Sequence, residues 1–287
     1  MINISRYVIA AAAVCAIATG ATPLLAQQDL GRDGTSWHWD GALASGGSLR
    51  LYNINGALHF TASPDASVHV QAVKHVRSGG DPRSVHYAMV RDGNNLVICV
   101  LWSDDATCDA TGMRSSNRDE EDSNRDRRNV AAELSIQVPA GVHTNGNTIN
   151  GEVSVDRVDS DVRATTVNGS VRVRQVTGQV RARSVNGDVN VDTRGGPVSA
   201  ETVNGSVKVS MGSTGTADMR FRTVSGDIEI SVPPPLNADV ELSTVNGSID
   251  SKYPLDYDRD RHRGSGVVGR GGRRLSASTV SGSITLH

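Results

Sequence analysis

Arginine side chains recur at short intervals in the middle of this sequence and could bind a charged ligand. The candidate residues are Arg163, Arg172, Arg174, Arg181 and Arg183. Guanidinium groups hold carboxylates and phosphates through paired hydrogen bonds, so such a surface could bind an acidic polysaccharide or lipopolysaccharide. Ordinary solvated surface, with acidic partners such as Asp156 and Asp192, is the other interpretation of the same residues.

Two cysteines are expected to form a structural disulfide. Cys99 and Cys108 are nine residues apart, and Cys15 lies in an N-terminal segment that is predicted to be removed. The spacing fits neither CxxC redox chemistry nor a zinc site, whereas an oxidising compartment favours a disulfide between the two.

Catalytic and cofactor-binding motifs are not found in this sequence. It has no nucleophile elbow, no phosphate-binding loop and no His-Glu-x-x-His pattern, and its eight histidines are scattered. We therefore assign no catalytic, cofactor-binding or metal-binding residue, expect no cofactor, and predict a protein that is not an enzyme.

Residues 1–26 are predicted to be a signal peptide. Arg6 supplies the positive charge, residues 8–18 form the apolar run, and Ala26 is the expected cleavage position. We expect an exported protein of the periplasm or cell surface. No later stretch approaches the roughly 18–20 apolar residues of a membrane span, so no transmembrane segment is expected in the mature chain. The formal net charge of −2 gives no general attraction for nucleic acid.

A short phrase, Thr-Val-Asn-Gly with small variations, repeats at a fixed spacing between residues 148 and 209. Its asparagines are 18 residues apart, weaker copies lie half-way between them, and looser copies follow up to residue 282. The asparagines expected to stack in a column at one corner are Asn150, Asn168, Asn186, Asn204 and Asn246. A fixed short period predicts a repeat architecture.

The polar residue after each Gly decides between hairpins and a solenoid. In hairpins, each Val of the phrase would face a residue such as Glu152 or Asp188 across the turn, which makes a poor core. We therefore predict a two-sided β-solenoid. We expect the Val of each phrase to be buried, so that Val185→Asp should destabilise the protein strongly. In this arrangement Arg163 and Arg181 stack on one side, and Arg172 and Arg174 on the other.

The predicted fold is all-β: a single-domain β-solenoid with 18-residue coils in the centre and looser coils at both ends. Residues 27–46 form a lead-in or cap, in which Trp37 and Trp39 would cover the open end of the solenoid or stack on a sugar. Residues 47–287 form the solenoid, with polar loop insertions at 103–129 and 251–272.

Three phrases together resemble a known family. They are the repeated Thr-Val-Asn-Gly-Ser-Val, the Val-Pro-Ala-Gly of residues 138–141, and the closing Gly-Gly-Arg-Arg-Leu followed by Thr-Val-Ser-Gly-Ser-Ile. They resemble a bacterial β-strand-repeat family of unknown function whose members are described as putative adhesins. The resemblance covers roughly residues 47–287 and implies an exported envelope protein without known catalytic residues.

Two functional hypotheses follow. The first is an exported, non-enzymatic β-solenoid, adhesin-like, that acts as a surface or periplasmic interaction scaffold for an envelope protein or polysaccharide. The alternative is a carbohydrate-active β-helix, either a binder of acidic polysaccharide or a lyase in which an arginine acts on a uronate sugar.

Overall fold

A computed structural model describes residues 28–114 and 129–287. In these ranges every regular element is a β-strand except a short 3-10 helix at Pro82–Ser84. The predicted all-β class is therefore confirmed. The predicted signal peptide lies outside the described residues.

The first ten strands of the described chain precede the periodic region. They are β1 (Gln28–Leu30), β2 (Ser36–Ala42), β3 (Ser48–Tyr52), β4 (Leu58–Ala62), β5 (Ser67–Val76), β6 (His86–Asp92), β7 (Asn95–Leu101), β8 (Thr107–Asp109), β9 (Gly112–Arg114) and β10 (Val130–Val138).

The periodic region and the C-terminal part supply the other strands. The periodic strands are β11 (His143–Asn147), β12 (Val153–Asp156), β13 (Val162–Thr165), β14 (Val171–Val176), β15 (Val180–Arg183), β16 (Val189–Thr193), β17 (Val198–Glu201), β18 (Val207–Met211), β19 (Met219–Arg222) and β20 (Ile228–Ser231). The C-terminal strands are β21 (Ala238–Ser243), β22 (Ile249–Ser251), β23 (Asp256–Tyr257), β24 (Arg263–Val268), β25 (Arg273–Ser278) and β26 (Ile284–Leu286).

Two large sheets form the two sides of the solenoid. Sheet A has the order β1-β6-β7-β3-β11-β13-β15-β17-β19-β25-β21-β24-β23, and sheet B the order β2-β5-β10-β4-β12-β14-β16-β18-β20-β26-β22. In the centre the chain alternates between the sheets, and all pairs are parallel. Val162 lies opposite Val180 in sheet A and Val153 opposite Val171 in sheet B, which gives the predicted 18-residue coil.

The core lies between the two sheets and, in the central coils, is built mainly from valine and alanine. Inward side chains alternate with outward ones along each strand, so that Val171 and Val173 of β14 are buried while Arg172 between them is exposed. Each fully buried valine contributes about 1.5–3 kcal/mol. A coil this thin has room for few large side chains, which explains the low aromatic content of 3%.

The corner made by Thr-Val-Asn-Gly corrects our prediction. The Val185 side chain is 39% exposed, whereas Ser184 before it is 6% exposed, so the hydroxyl residue and not the valine faces inward. The same holds for Thr166, whose Oγ1 donates a hydrogen bond of 2.8 Å to the carbonyl oxygen of Gly151 in the neighbouring coil. A carbonyl that is partly buried between coils needs a donor, and this requirement outweighs the burial of one more aliphatic side chain.

The glycine of the phrase is required by close approach between coils. A Cβ on Gly169 would lie 2.1 Å from the carbonyl oxygen of Gly151, closer than any side-chain carbon can come. The corner therefore accepts only glycine, and the short distance also brings that oxygen within reach of the Thr166 hydroxyl.

The ends of the solenoid are not assembled in sequence order. Asn55 stacks directly on Asn150 although the two are distant in sequence. At the other end, β25 and β26 lie between β19–β20 and β21–β22. The copy of the phrase that comes last in sequence therefore lies in space between the two copies that precede it in sequence. The prediction of loops at 103–129 and 251–272 is wrong in part, because β8–β9 and β23–β24 lie in them.

Candidate functional site

One outward column crosses sheet A perpendicular to its strands. It is formed by the residue five positions before the Asn or Ser of each corner. In stacking order the column contains Arg50, Asn145, Arg163, Arg181, Ser199, Arg220, Ser276 and Glu241. Arg163 and Arg181 are therefore direct neighbours on adjacent strands.

A groove with a volume of about 570 Å³ lies over the first part of this column. Its floor is formed by β3, β11, β13 and β15, and its lining includes Arg50, Arg163, Arg181, His143 and Tyr52. The groove thus brings together three guanidinium groups, an imidazole and an aromatic ring from two distant parts of the sequence.

Arg163 and Arg181 face each other across neighbouring strands, and neither has a partner of opposite charge among the described residues. Within the part of the chain that the structure describes, neither makes an ion pair or a side-chain hydrogen bond, and they are the only like-charged residues that face each other in the β-ladders. Like charges directly opposite each other destabilise a sheet. The pair therefore carries an electrostatic cost that an anionic ligand would remove.

Asp161 is the acidic residue of the groove lining. Its Oδ1 accepts a hydrogen bond of 2.8 Å from the backbone N–H of Gln179, and its Oδ2 lies 3.7 Å from Nδ1 of His143. Against the three arginines, one carboxylate leaves the groove with an excess of positive charge.

The N-terminal end of the groove is held by the β8–β9 hairpin. A disulfide joins Cys99 of β7 to Cys108 of β8, with the two Cα atoms 5.9 Å apart. The hairpin carbonyls of Ala110 and Thr111 accept hydrogen bonds from Arg50 (3.2 Å) and Tyr52 (3.3 Å). The hairpin covers the outer face of β6 and β7, so the open groove begins at β3.

The remaining candidate arginines lie in other surroundings. Arg183 is on sheet A but pairs with Glu201 at 3.3 Å. Arg172 and Arg174 project from sheet B, on the opposite side of the solenoid. Arg172 forms an ion pair with Glu152, and Arg174 stands in a column between Asp156 and Asp192. The five arginines therefore lie on two separate surfaces. On sheet B, acidic neighbours compensate the positive charge of the arginines.

The asparagine column runs along the corner and not across the groove. Its side-chain amides form successive hydrogen bonds of 2.8, 2.9 and 2.8 Å from Asn168 to Asn150, Asn186 to Asn168, and Asn204 to Asn186. Asn246 does not extend this row, because the corner next to it belongs to Ser281.

A histidine on sheet B is held between two carboxylates near the N-terminal end. Nδ1 of His69 lies 2.6 Å from Asp40, and Nε2 lies 3.1 Å from Asp65. Hydrogen bonds to Asp40 and then to Asp65 raise the pKa of His69 above its usual range. Among the described residues, no group of three or more His, Cys, Asp or Glu is placed to hold a metal ion.

Sequence reasoning missed Arg50, Tyr52 and His143 as members of the groove. Counting back from the corner would have found Arg50, since it precedes Asn55 by the same five residues that separate Arg163 from Asn168. In residues 28–114 and 129–287 there is no helix long and apolar enough to cross a membrane.

Comparison with known proteins found several solved structures similar to the chain and one family model that matches it. Solved structures similar to the chain include a putative cell adhesion protein from Clostridium sporogenes, 9% identical over 88% of this chain and 98% of that one, with a TM-score of 0.37. Putative adhesins from Bacteroides fragilis and Parabacteroides merdae are 11% and 10% identical over 89% of this chain and 97% of theirs, with TM-scores of 0.37 and 0.32. No curated protein matches the chain. The family model described as Toastrack DUF4097 matches residues 144–287, which is half of the sequence. The chain therefore belongs to the Toastrack DUF4097 family.

Proposed function

We propose that this β-solenoid is exported, is not an enzyme, and acts as an interaction scaffold of the cell envelope that binds an anionic partner on sheet A. The observation that carries the proposal is the unpaired Arg163–Arg181 neighbourhood in the groove. Two neighbouring arginines without an acid between them are suited to hold an external carboxylate, sulfate or phosphate.

Export is supported by the predicted signal peptide and by the disulfide between Cys99 and Cys108, since disulfides persist in oxidising compartments outside the cytosol. A surface or periplasmic location would bring the groove into contact with the anionic polymers and proteins of the envelope. An adhesin-like role is one form of such a scaffold.

Binding to sheet A can be tested with two matched double variants. The exported protein is titrated calorimetrically with soluble acidic and neutral polysaccharides. The Arg163→Gln/Arg181→Gln variant should lose binding to the acidic polymers, while Arg172→Gln/Arg174→Gln, which removes the same charge from sheet B, should retain it. Equal loss in both variants, or no binding by the unaltered protein, would refute the proposal.

The same incubation tests the alternative hypothesis of a carbohydrate-active enzyme. A scaffold leaves the polysaccharide at its original length, whereas a lyase would shorten it and create unsaturated sugar ends. Shortened chains that disappear with Arg163→Gln/Arg181→Gln would overturn the non-enzymatic assignment.

A further inference from the structure

The arginine column and the tyrosine beside it indicate the class of ligand that the groove can hold. Arg163 and Arg181 lie on neighbouring strands, which are about 4.8 Å apart, so both guanidinium groups can reach one anionic group. Arg50 lies in the same column two strands away, about 10 Å from Arg163, with the amide of Asn145 between them. The positive charges thus follow a line along the solenoid axis.

Such a line fits an extended polymer better than a single small anion. One anionic group between Arg163 and Arg181 leaves Arg50 available for a second group farther along the same chain. Polar side chains of Ser48, Asn145 and Gln179 lie among the arginines and can bond to hydroxyl groups.

Tyr52 supplies the apolar contact that sugar rings require. It is half-buried, and its hydroxyl is bonded to the Thr111 carbonyl, so the ring is fixed at the end of the groove. An aromatic ring that is already held in place provides contact area at low cost in conformational entropy.

The backbone of the groove floor argues against an extended peptide as the ligand. Strands β3, β11, β13 and β15 each have a neighbour on both sides in sheet A, so no free edge is available for an added strand. Recognition must use side chains, and these are guanidinium, amide, hydroxyl and aromatic groups. We infer that the groove binds an extended acidic polysaccharide, with one sugar carboxylate or sulfate held between Arg163 and Arg181 and a sugar ring against Tyr52.

This inference rests on the proposed anionic partner on sheet A and adds its chemical class. Fragments of polygalacturonate in a size series, from the single sugar upward, are titrated into the exported protein. Affinity should rise with length until the fragment spans Arg50 to Arg181. Methyl-esterified fragments, which lack the charge, should not bind.

Single variants locate the contacts. Arg163→Gln and Arg181→Gln should each weaken binding about ten-fold or more, because charge-assisted hydrogen bonds are lost. Arg220→Gln is the matched control: it removes the same charge from the same column outside the groove and should change affinity less than about three-fold. Tyr52→Leu, which removes the aromatic ring, should weaken binding about three- to ten-fold.

Other anions distinguish failure of this inference from failure of the proposed function. Inorganic phosphate, poly-glutamate and vesicles containing phosphatidylglycerol are titrated in parallel. If poly-glutamate or the vesicles bind to the Arg163–Arg181 pair more tightly than the sugar chain, the polysaccharide assignment is wrong while anionic binding on sheet A stands. If neither the length of the fragment nor Tyr52→Leu changes the affinity, the binding of an extended chain along the groove is likewise wrong. If no anion binds, both proposals are wrong.

Discussion

The buried hydroxyl at the solenoid corner leads to the prediction that replacing threonine by valine destabilises the protein more than replacing the neighbouring valine by threonine. Thr166 is 1% exposed and donates to the Gly151 carbonyl at 2.8 Å, whereas its neighbour Val167 is 37% exposed. Thr166→Val keeps the shape of the side chain and removes the donor. Val167→Thr makes the opposite exchange one residue later and serves as the matched control.

The magnitude follows from the environment of each side chain. Leaving a fully buried carbonyl without its donor costs about 1–3 kcal/mol; the Gly151 carbonyl is partly buried, and the more apolar replacement offsets part of this cost. We expect Thr166→Val to lower the free energy of unfolding by about 1–2 kcal/mol. A substitution at an exposed position such as Val167 should change it by about 0.5 kcal/mol or less.

Urea denaturation followed by circular dichroism measures both variants, and thermal melts provide a second reading. For a chain of this size, each kcal/mol corresponds to about 2–4 °C in Tm. If Val167→Thr costs as much as Thr166→Val or more, the valine is the inward residue and the corner assignment is wrong.

Three other features can be tested by single changes. Val185→Asp should cost about 1 kcal/mol or less in urea denaturation, since Val185 is 39% exposed, and a cost above about 3 kcal/mol would show that it is buried. Reducing the Cys99–Cys108 bond, which closes a loop between residues nine apart, should lower the free energy of unfolding by about 2–3 kcal/mol. Denaturation curves recorded with and without reductant measure this difference. His69 should titrate above its ordinary pKa in NMR spectra, and Asp40→Asn should lower that value. Because the folded pKa of His69 is raised, its stabilising effect is complete below a pH of about 6.5 and is lost as pH rises through the folded value; an unraised pKa would contradict the observed contacts.

The length of the coil could be predicted from the sequence because it equals the spacing between successive asparagines of the repeated phrase. Asparagines 18 residues apart in sequence become neighbours in space, as Asn168 and Asn186 do. Within the straight sections, alternation along a strand separates inward from outward residues, as Val171, Arg172 and Val173 show.

The corner could not be predicted by the same reasoning. Hydropathy alone places the valine of Thr-Val-Asn-Gly inside, yet Val185 is outside and Ser184 is inside. What decides is a hydrogen bond between coils, from the Ser184 hydroxyl to the Gly169 carbonyl at 2.8 Å. This bond joins two residues of different repeats, so no pattern within one repeat indicates it.

The order of coils at the C-terminus has a different cause. Every copy of the phrase presents the same corner, so Ser281 can stack equally well between Ser225 and Asn246 or after them. The antiparallel pairing of β24 with β21 occupies the outer edge of β21, and β25 then pairs on its inner side. Pairing between distant strands, and not the repeat itself, therefore fixes the order.

In a solenoid of fixed period, a charge that recurs once per coil becomes a column of like charges. Sheet B avoids this by alternating Asp156, Arg174 and Asp192, whereas sheet A places Arg163 beside Arg181. If ligand binding and not stability determines this choice, Arg181→Glu should stabilise the folded protein slightly while it abolishes binding of the acidic polymer. The gain should be about 0–1 kcal/mol, as for exposed ion pairs, and should vanish in high salt. A loss of stability that persists in high salt would show that Arg181 supports the fold, and the argument from electrostatic cost would then fail.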